Sequence, residues 1–311
     1  MEESSYPRAC DLIRLGQLDE ANAIVDAEIQ RVASQGNSNE LWKLRFLTSR
    51  ILAIKGQVEE AVKYLESLSP PDIRDVESCA SLKMRRGSYL GDLGRYEAAH
   101  QLLFAAESMA RDAGLLEVLA DVHLRRGFVF FLQKDYVSSD RMYRAARDLA
   151  GQSGDWYLRG TALWGIGKIL MIQGHYQEAM PWLEEALGIF DAAESPLDVA
   201  TVWSELAVCY LGLEDDDKAM TLFRKAEKVN CEAGFVHNYQ VVLANIGNVY
   251  LHRKEYLTAI SYYRWALALA REIKDPVSIK KWTYNINLTY ARIRLATDLT
   301  HLPSPDRNVG N

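Results

Sequence analysis

The amino-acid sequence predicts an all-helical protein built from repeated helix pairs. Only 8 of its 311 residues are proline and 19 are glycine, so little interrupts long helices. A local pattern that ends in a small residue returns roughly every 40 residues, a period typical of repeat proteins. Within each unit the small and large apolar positions recur at the spacing of one helix face. The pattern requires no strand in any part of the chain.

Two small residues mark each repeat, one near the end of its first helix and one near the start of its second helix. Small side chains allow two helix backbones to approach, so we expect both positions to pack between the helices of a pair. The first set is Ala9, Ser49, Gly87, Gly127, Gly167, Ala207 and Gly247. The second set is Ala21, Ala61, Ala99, Ser139, Ala179, Ala219 and Ala259.

These markers divide the chain into seven helix pairs, the first of them short, and a final lone helix. A single array is predicted over 1–297, followed by a flexible tail at 298–311. The predicted units are 1–36, 37–74, 75–114, 115–154, 155–194, 195–234 and 235–274, with the final helix at 276–297.

Turn residues keep the same register as the markers. Glycine tolerates the left-handed conformation in which many helices end, and Asp, Ser and Pro are typical of helix starts. Left-handed helix ends are predicted at Gly36, Gly114, Gly154 and Gly234. Helix caps are predicted at Asp155, Ser195 and Asp275, with Pro196 and Pro276 as first helical residues.

The repeat resembles the tetratricopeptide repeat. The segment Asn245-Ile-Gly-Asn-Val-Tyr250, followed by Tyr256, Ala259, Tyr263 and Ala266, carries the small and aromatic positions of that family. The period exceeds the family's usual length, which makes the chain more similar to the longer repeats of kinesin light chains, Leu-Gly-Asn-type polarity adaptors and bacterial tandem-repeat regulators. The resemblance implies a right-handed α-solenoid whose concave wall binds peptides.

Composition excludes several classes of function. The formal charge of -6 and the pI near 5.6 argue against nucleic acid as a partner, because phosphate neutralisation needs a basic surface. No apolar run approaches the ~20 residues that span a bilayer, so no membrane partner is expected. The four cysteines are far apart and no secretory signal opens the sequence, which favours a cytoplasmic protein.

The sequence contains no recognisable catalytic or metal-binding set. Glu97 and His100 have the spacing of half a carboxylate-bridged metal site, but a second copy is missing. Asp215, Asp216 and Asp217 lack the rest of a calcium loop and predict a polar turn at a helix start. We therefore expect no cofactor, no metal and no enzymatic activity. Trp182, Trp203 and Trp265 are expected on the packing face.

The predicted concave wall carries the candidate binding residues. Its first half is basic with interleaved aromatic residues, and its last part carries asparagines one period apart. Arginine and lysine suit carboxylates or phosphates, whereas an asparagine amide suits a peptide backbone. The candidates are Arg85, Arg125, Phe128, Trp164, Lys168, Asn245, Asn248 and Asn285. The other residues predicted on the same wall are Lys43, Phe46, Leu47, Arg50, Met84, Ser88, Leu124, Glu205 and Tyr284. A merely solvated helix face remains the alternative.

The leading functional hypothesis is a non-enzymatic scaffold that binds an extended or acidic peptide segment of a protein partner. One alternative is a peptide-responsive regulatory sensor module, and another is the repeat portion of a larger system such as a caspase-like CHAT peptidase. Self-association through the C-terminal end is also predicted, because the last helix carries Ile286, Leu288, Tyr290 and Ile293.

Overall fold

A computed structural model describes residues 5–35, 38–72 and 74–297. Over these ranges the regular structure is helical throughout, without a strand, as predicted. The described residues form two compact units, of which unit 1 ends at Pro196 and unit 2 begins at Leu197. Unit 1 contains α1 (Ser5–Arg14), α2 (Leu18–Gln35), α3 (Ser38–Ile54), α4 (Val58–Ser67), α5 (Val76–Asp92), α6 (Tyr96–Asp112), α7 (Leu116–Leu132), α8 (Tyr136–Ser153), α9 (Trp156–Ile172) and α10 (Tyr176–Ala192). Unit 2 contains α11 (Pro196–Gly212), α12 (Asp216–Glu232), α13 (Val236–His252), α14 (Tyr256–Glu272) and α15 (Pro276–Thr297). The first residue of α11, Pro196, is the last residue of unit 1.

The helices of unit 1 pack in two ways. Each helix contacts the next one along the chain, and each odd-numbered helix also contacts the odd-numbered helix that follows, from α1 to α9. The odd-numbered helices therefore form a layer of their own. In unit 2, α12 to α15 likewise pack each against the next, over a core that includes Phe223, Tyr263 and Trp282.

The predicted marker positions lie in the core. All seven residues of the second set have no exposed surface, and Ser139 among them donates its hydroxyl to the carbonyl of Gly127 at 2.7 Å. Glycine is required where an aromatic ring fills the space between two helices. A Cβ atom on Gly127 would lie 2.9 Å from the Tyr143 ring, and one on Gly165 would lie 2.8 Å from the opposite side of that ring. Tyr143 thus fills a space that Gly127 of its own helix pair and Gly165 of the next pair leave free of side chains.

The turns confirm the predicted register. Gly114, Gly154 and Gly234 have φ angles of 67°, 79° and 65°, whereas Gly36 lies outside the described residues. Asp155 accepts from the backbone N–H of Leu158 at 2.9 Å.

Both predicted proline starts are also confirmed. α11 begins at Pro196 and α15 begins at Pro276. Asp275 accepts from Ser278 N at 3.1 Å and so caps α15. The predicted polar turn at Asp215 is present too, because its carboxylate accepts from Lys218 N at 3.1 Å at the start of α12.

Candidate functional site

Five of the candidate binding residues lie on three adjacent helices of unit 1. Arg85 is on α5, Arg125 and Phe128 are on α7, and Trp164 and Lys168 are on α9. All five side chains are half-buried. α5, α7 and α9 contact one another in turn, so these residues lie on successive members of one helix layer. We call this set the unit-1 wall.

Arg85 is a cation without a carboxylate partner among the described residues. Its guanidinium carbon lies 5.1 Å from the centre of the Phe46 ring, and its Nε is buried with no hydrogen-bond acceptor there. The aromatic ring attracts the cation but leaves its charge uncompensated. Arg85 is therefore able to pair with an anionic group from another molecule.

Arg125 differs because its charge is already balanced. Its Nε donates to Oδ1 of Asp121 at 2.9 Å, and Asp121 lies one turn earlier on α7. The Asp121 carboxylate raises the pKa of Arg125 above its usual value, against the opposing effect of burial. The side chain is 35% exposed, so its remaining N–H groups can still reach a ligand. Arg125 thus offers donors rather than net charge.

Lys168 is held between aromatic side chains. Its Nζ lies 4.7 Å from the centre of the Trp164 ring and 5.7 Å from that of Phe131. The indole N–H of Trp164 is buried and has no acceptor among the described residues. Together with Arg85, this places cations on aromatic faces at α5 and α9 of the same layer.

The three asparagines belong to unit 2, and Asn245 and Asn248 are hydrogen-bonded to each other. Asn248 donates to the amide oxygen of Asn245 at 3.2 Å and accepts from the Tyr263 hydroxyl at 2.7 Å. Asn248 therefore positions Tyr263, which is fully buried, and both ends of its amide are in use. Asn245 and Asn285 are half-buried at equivalent positions of α13 and α15.

Several neighbours expected beside these residues are instead in the core. The exposed fractions are 7% for Phe46, 4% for Leu47, 2% for Met84, 5% for Ser88 and 4% for Leu124. The reason is that each odd-numbered helix contacts both its preceding and following odd-numbered helix, which leaves only a narrow accessible strip. The expectation for Trp265 is also wrong. Its side chain is 49% exposed and lies on the surface of α14, with its ring centre 5.9 Å from that of Tyr239.

Sequence reasoning missed the acidic residues near the wall. Asp121 lies four residues before Arg125, and that spacing on a helix is a known signal for an ion pair. It also missed Glu117 and Trp156, which line a pocket with Arg14 and Arg50 from helices much earlier in the chain. No local pattern indicates that contact.

In the part of the chain that the structure describes, no group of three or more His, Cys, Asp or Glu side chains is placed to hold a metal ion. All four cysteines are free thiols. No helix described here combines the length and apolar character needed to cross a membrane.

Family models describe the same repeats. Two models of the tetratricopeptide repeat match this chain, one over residues 118–192 and the other over residues 200–230. The comparison with curated proteins gives no match.

Solved structures share the fold. One similar structure is a signal transduction ATPase with a tetratricopeptide repeat sensor from Pyrococcus horikoshii, with a TM-score of 0.64 and 15% identity. The match covers 94% of this chain but only 44% of the ATPase chain. A Rap protein in complex with competence and sporulation factor has a TM-score of 0.63 and 18% identity over 94% of this chain and 82% of its own. Aspartyl phosphate phosphatase F from Bacillus subtilis has a TM-score of 0.58 and 14% identity, with the same coverage of both chains as the Rap complex.

The family models, the buried small positions and the shared helical-repeat fold agree. The predicted all-α solenoid of helix pairs is confirmed. The chain contains tetratricopeptide repeats over residues 118–192 and 200–230.

Proposed function

We propose that this protein-interaction or regulatory module is a non-enzymatic scaffold, and that its unit-1 wall binds an acidic or extended segment of a partner protein. The observation that carries the proposal is Arg85. Its guanidinium rests on Phe46 at 5.1 Å and has no carboxylate partner among the described residues. A partner carboxylate at this position would form a charge-assisted hydrogen bond with a cation already held in place.

The rest of the unit-1 wall suits the same kind of ligand. Lys168 adds a second cation on α9, supported by the Trp164 ring at 4.7 Å. Phe128 and Trp164 add half-buried aromatic surface, which contributes binding energy for little loss of side-chain freedom. Arg125 contributes N–H donors, since Asp121 balances its charge. An acidic segment with apolar residues fits this combination better than a purely polar one.

In unit 2, Asn245 and Asn285 are proposed to bind peptide backbone. Each amide offers a donor and an acceptor, which an extended backbone can satisfy. Asn248 supports this role indirectly, because it holds Asn245 by a hydrogen bond of 3.2 Å.

A regulatory sensor is the second candidate function. Two of the similar structures favour it, since one is described as a tetratricopeptide repeat sensor and the other is a Rap protein bound to competence and sporulation factor. Both are below 20% identity to this chain, so they support the fold and suggest the class of ligand only. As a sensor, the protein would bind a partner segment as a signal, and binding would change its conformation or its interactions.

The test is a titration with peptides. A library of synthetic acidic and neutral peptides is screened against the purified chain, and the best binder is titrated by fluorescence anisotropy. We expect Arg85→Glu and Lys168→Glu to weaken binding at least tenfold, about 1.4 kcal/mol each. The loss should shrink as salt is added, because exposed charges are screened.

The matched control is Lys63→Glu, which reverses an exposed lysine of unit 1 on the even-numbered helix α4. It should leave the affinity unchanged. The proposal is wrong if no peptide binds, or if all three variants behave alike. Turnover of a substrate by the purified chain would contradict the non-enzymatic reading.

A further inference from the structure

A pocket lies in unit 1 at the start of α9, next to the unit-1 wall, because its lining residue Tyr157 interacts electrostatically with Arg125 of that wall. Its volume is about 400 Å³, within the range of roughly 300–1,000 Å³ that is usual for small-molecule sites. Residues from α1, α3, α7 and α9 line it, together with the end of α8 and the turn that follows it, so four odd-numbered helices meet there. None of the five residues of the unit-1 wall is among them.

One part of the pocket is positively charged. The guanidinium of Arg50 on α3 lies 5.9 Å from the centre of the Tyr157 ring and has no carboxylate partner among the described residues. Arg14 on α1 lies 5.6 Å from the centre of the Trp156 ring and is paired with Asp11 at 2.9 Å. The uncompensated positive charge of the pocket is therefore that of Arg50.

Another part of the pocket is negatively charged. Glu117, in the first turn of α7, is exposed and has no cationic partner within the described ranges. The Asp155 carboxylate caps α9 through Leu158 N. Arg50 and Glu117 line the same pocket and yet do not form an ion pair with each other. The pocket therefore keeps one unpaired cation and one unpaired anion apart.

The aromatic side chains give the pocket an apolar component. The rings of Trp156 and Tyr157 meet edge to face, with centres 5.6 Å apart, and Trp156 is 37% exposed. A ligand side chain can pack on these rings. Aromatic faces also attract an ammonium group.

We propose that this pocket binds a zwitterion, namely an α-amino acid or a dipeptide with an apolar or aromatic side chain. The ligand's carboxylate pairs with Arg50, its ammonium group pairs with Glu117, and its side chain packs on Trp156 and Tyr157. Such a molecule satisfies both unpaired charges at once, which neither a simple anion nor a simple cation does. The proposal does not depend on peptide binding at the unit-1 wall, because the two sets share no residue.

Isothermal titration calorimetry on the full chain tests the charge requirement. The probes are L-phenylalanine, L-leucine, L-tryptophan and the dipeptide glycyl-L-phenylalanine. We expect saturable binding of at least one of them, and the ratio of the amino-acid to the dipeptide affinity tells which source fits better. Two further probes each lack one charge. 3-Phenylpropanoate lacks the ammonium group and L-phenylalaninamide lacks the carboxylate, so each should bind at least tenfold more weakly than the zwitterion.

Variants test the assigned residues. Glu117→Gln and Arg50→Gln should each weaken zwitterion binding at least tenfold, and Glu117 is exposed, so its replacement leaves the fold intact. The controls are Arg45→Gln, whose guanidinium also rests on an aromatic ring of α3, and Glu97→Gln, an exposed carboxylate on α6. Both controls should bind as the unmodified chain does. The proposal is overturned if none of the four zwitterions binds at millimolar concentration, if L-phenylalaninamide binds as tightly as L-phenylalanine, or if Glu117→Gln has no effect.

Discussion

His123 is an ionisable side chain that is almost fully removed from water between α6 and α7. It is 8% exposed, and neither ring nitrogen has a hydrogen-bond partner among the described residues. Glu107 lies 3.4 Å from its Nε2, but that carboxylate already accepts from Arg111 and Arg126. Burial first, and the positive charge of Arg111 second, lower the pKa of His123.

This environment predicts a loss of stability in acid. A histidine with a lowered pKa binds its proton more readily in the unfolded chain, so the free energy of unfolding falls as the pH drops below about 6.5. The slope for one such group is at most about 1.4 kcal/mol per pH unit. In urea unfolding followed by circular dichroism, His123→Leu should lose less stability between pH 7.5 and pH 5.5 than the unmodified chain loses.

A suitable comparison is His175→Leu, which replaces a histidine whose side chain is 53% exposed and lies 3.3 Å from Glu178. That variant should not flatten the acid limb of the stability curve. Equal pH dependence in the His123 variant and the unmodified chain would show that His123 does not control it.

At the scale of the element, the turn inside each helix pair uses one left-handed residue. Gly94 and Gly174 occupy this position with φ angles of 73° and 82°. Three other repeats have Lys134, Glu214 and Lys254 there, with φ angles of 63°, 64° and 61°. A side chain in this conformation costs roughly 1–2 kcal/mol relative to glycine in the same backbone. These turns are consequently strained where the glycine is absent.

Lys254→Gly should therefore stabilise the chain. The relief of strain is partly offset by the extra freedom of glycine in the unfolded state, so we expect a net gain of up to about 1 kcal/mol in the free energy of unfolding. The reciprocal change is Gly174→Lys, where a Cβ atom would meet nothing within 4 Å and only the backbone effect remains. It should lower stability by a similar amount. Thermal unfolding of both variants tests the prediction. Melting temperatures that shift in the same direction in the two variants would refute it.

The helices and their turns could be predicted from the repeat pattern in the sequence. The repeat spacing and the prolines together predicted that α11 begins at Pro196 and α15 at Pro276, because proline favours the first turn of a helix over its interior. The accessible strip of each helix was harder to predict. Leu124 lies one turn before Phe128 on α7, yet Leu124 is 4% exposed and Phe128 is half-buried. Burial at these positions depends on how closely the next odd-numbered helix approaches. Periodicity identifies a helix face, whereas its exposure depends on contacts with other repeats.

At the scale of the whole molecule, we still predict self-association through α15. Ile286 and Ile293, which were expected to need a cover, are 8% exposed and belong to the core of unit 2. Other side chains of α15 are open instead. Val277 is 75%, Tyr284 63% and Leu295 84% exposed. Pro303 and Pro305 of the predicted tail lie outside the described residues.

We therefore expect weak, concentration-dependent association through α15. Light scattering at micromolar concentration should show a rise in mass with concentration, and a Val277→Ser, Leu295→Ser double variant should reduce it. Leu257→Ser on α14 is the control, since this leucine is 72% exposed and not part of α15. A constant monomer mass for the unmodified chain would refute the prediction.

The candidate site could be predicted only in part, because the pairing of its charged side chains depends on individual neighbouring residues rather than on the repeat. The sequence indicated Arg85 and Lys168 because each falls at the same face of its repeat. It gave no sign that Arg85 would lack a partner while Arg125 would be paired. The difference arises from Asp121, whose counterpart four residues before Arg85 is Ser81.

The contact between Arg14 and Trp156 joins the first and the fifth helix pair of unit 1. Most contacts in a repeat protein link neighbouring units, so they can form while the chain is still largely open. Closing a loop of several repeats has an additional entropic cost, which the contact between Arg14 and Trp156 must offset. We expect α1 to dock after the other helices of unit 1 have assembled, and to be the first of them to detach. The order of assembly along this chain would then run from the middle of unit 1 towards its beginning.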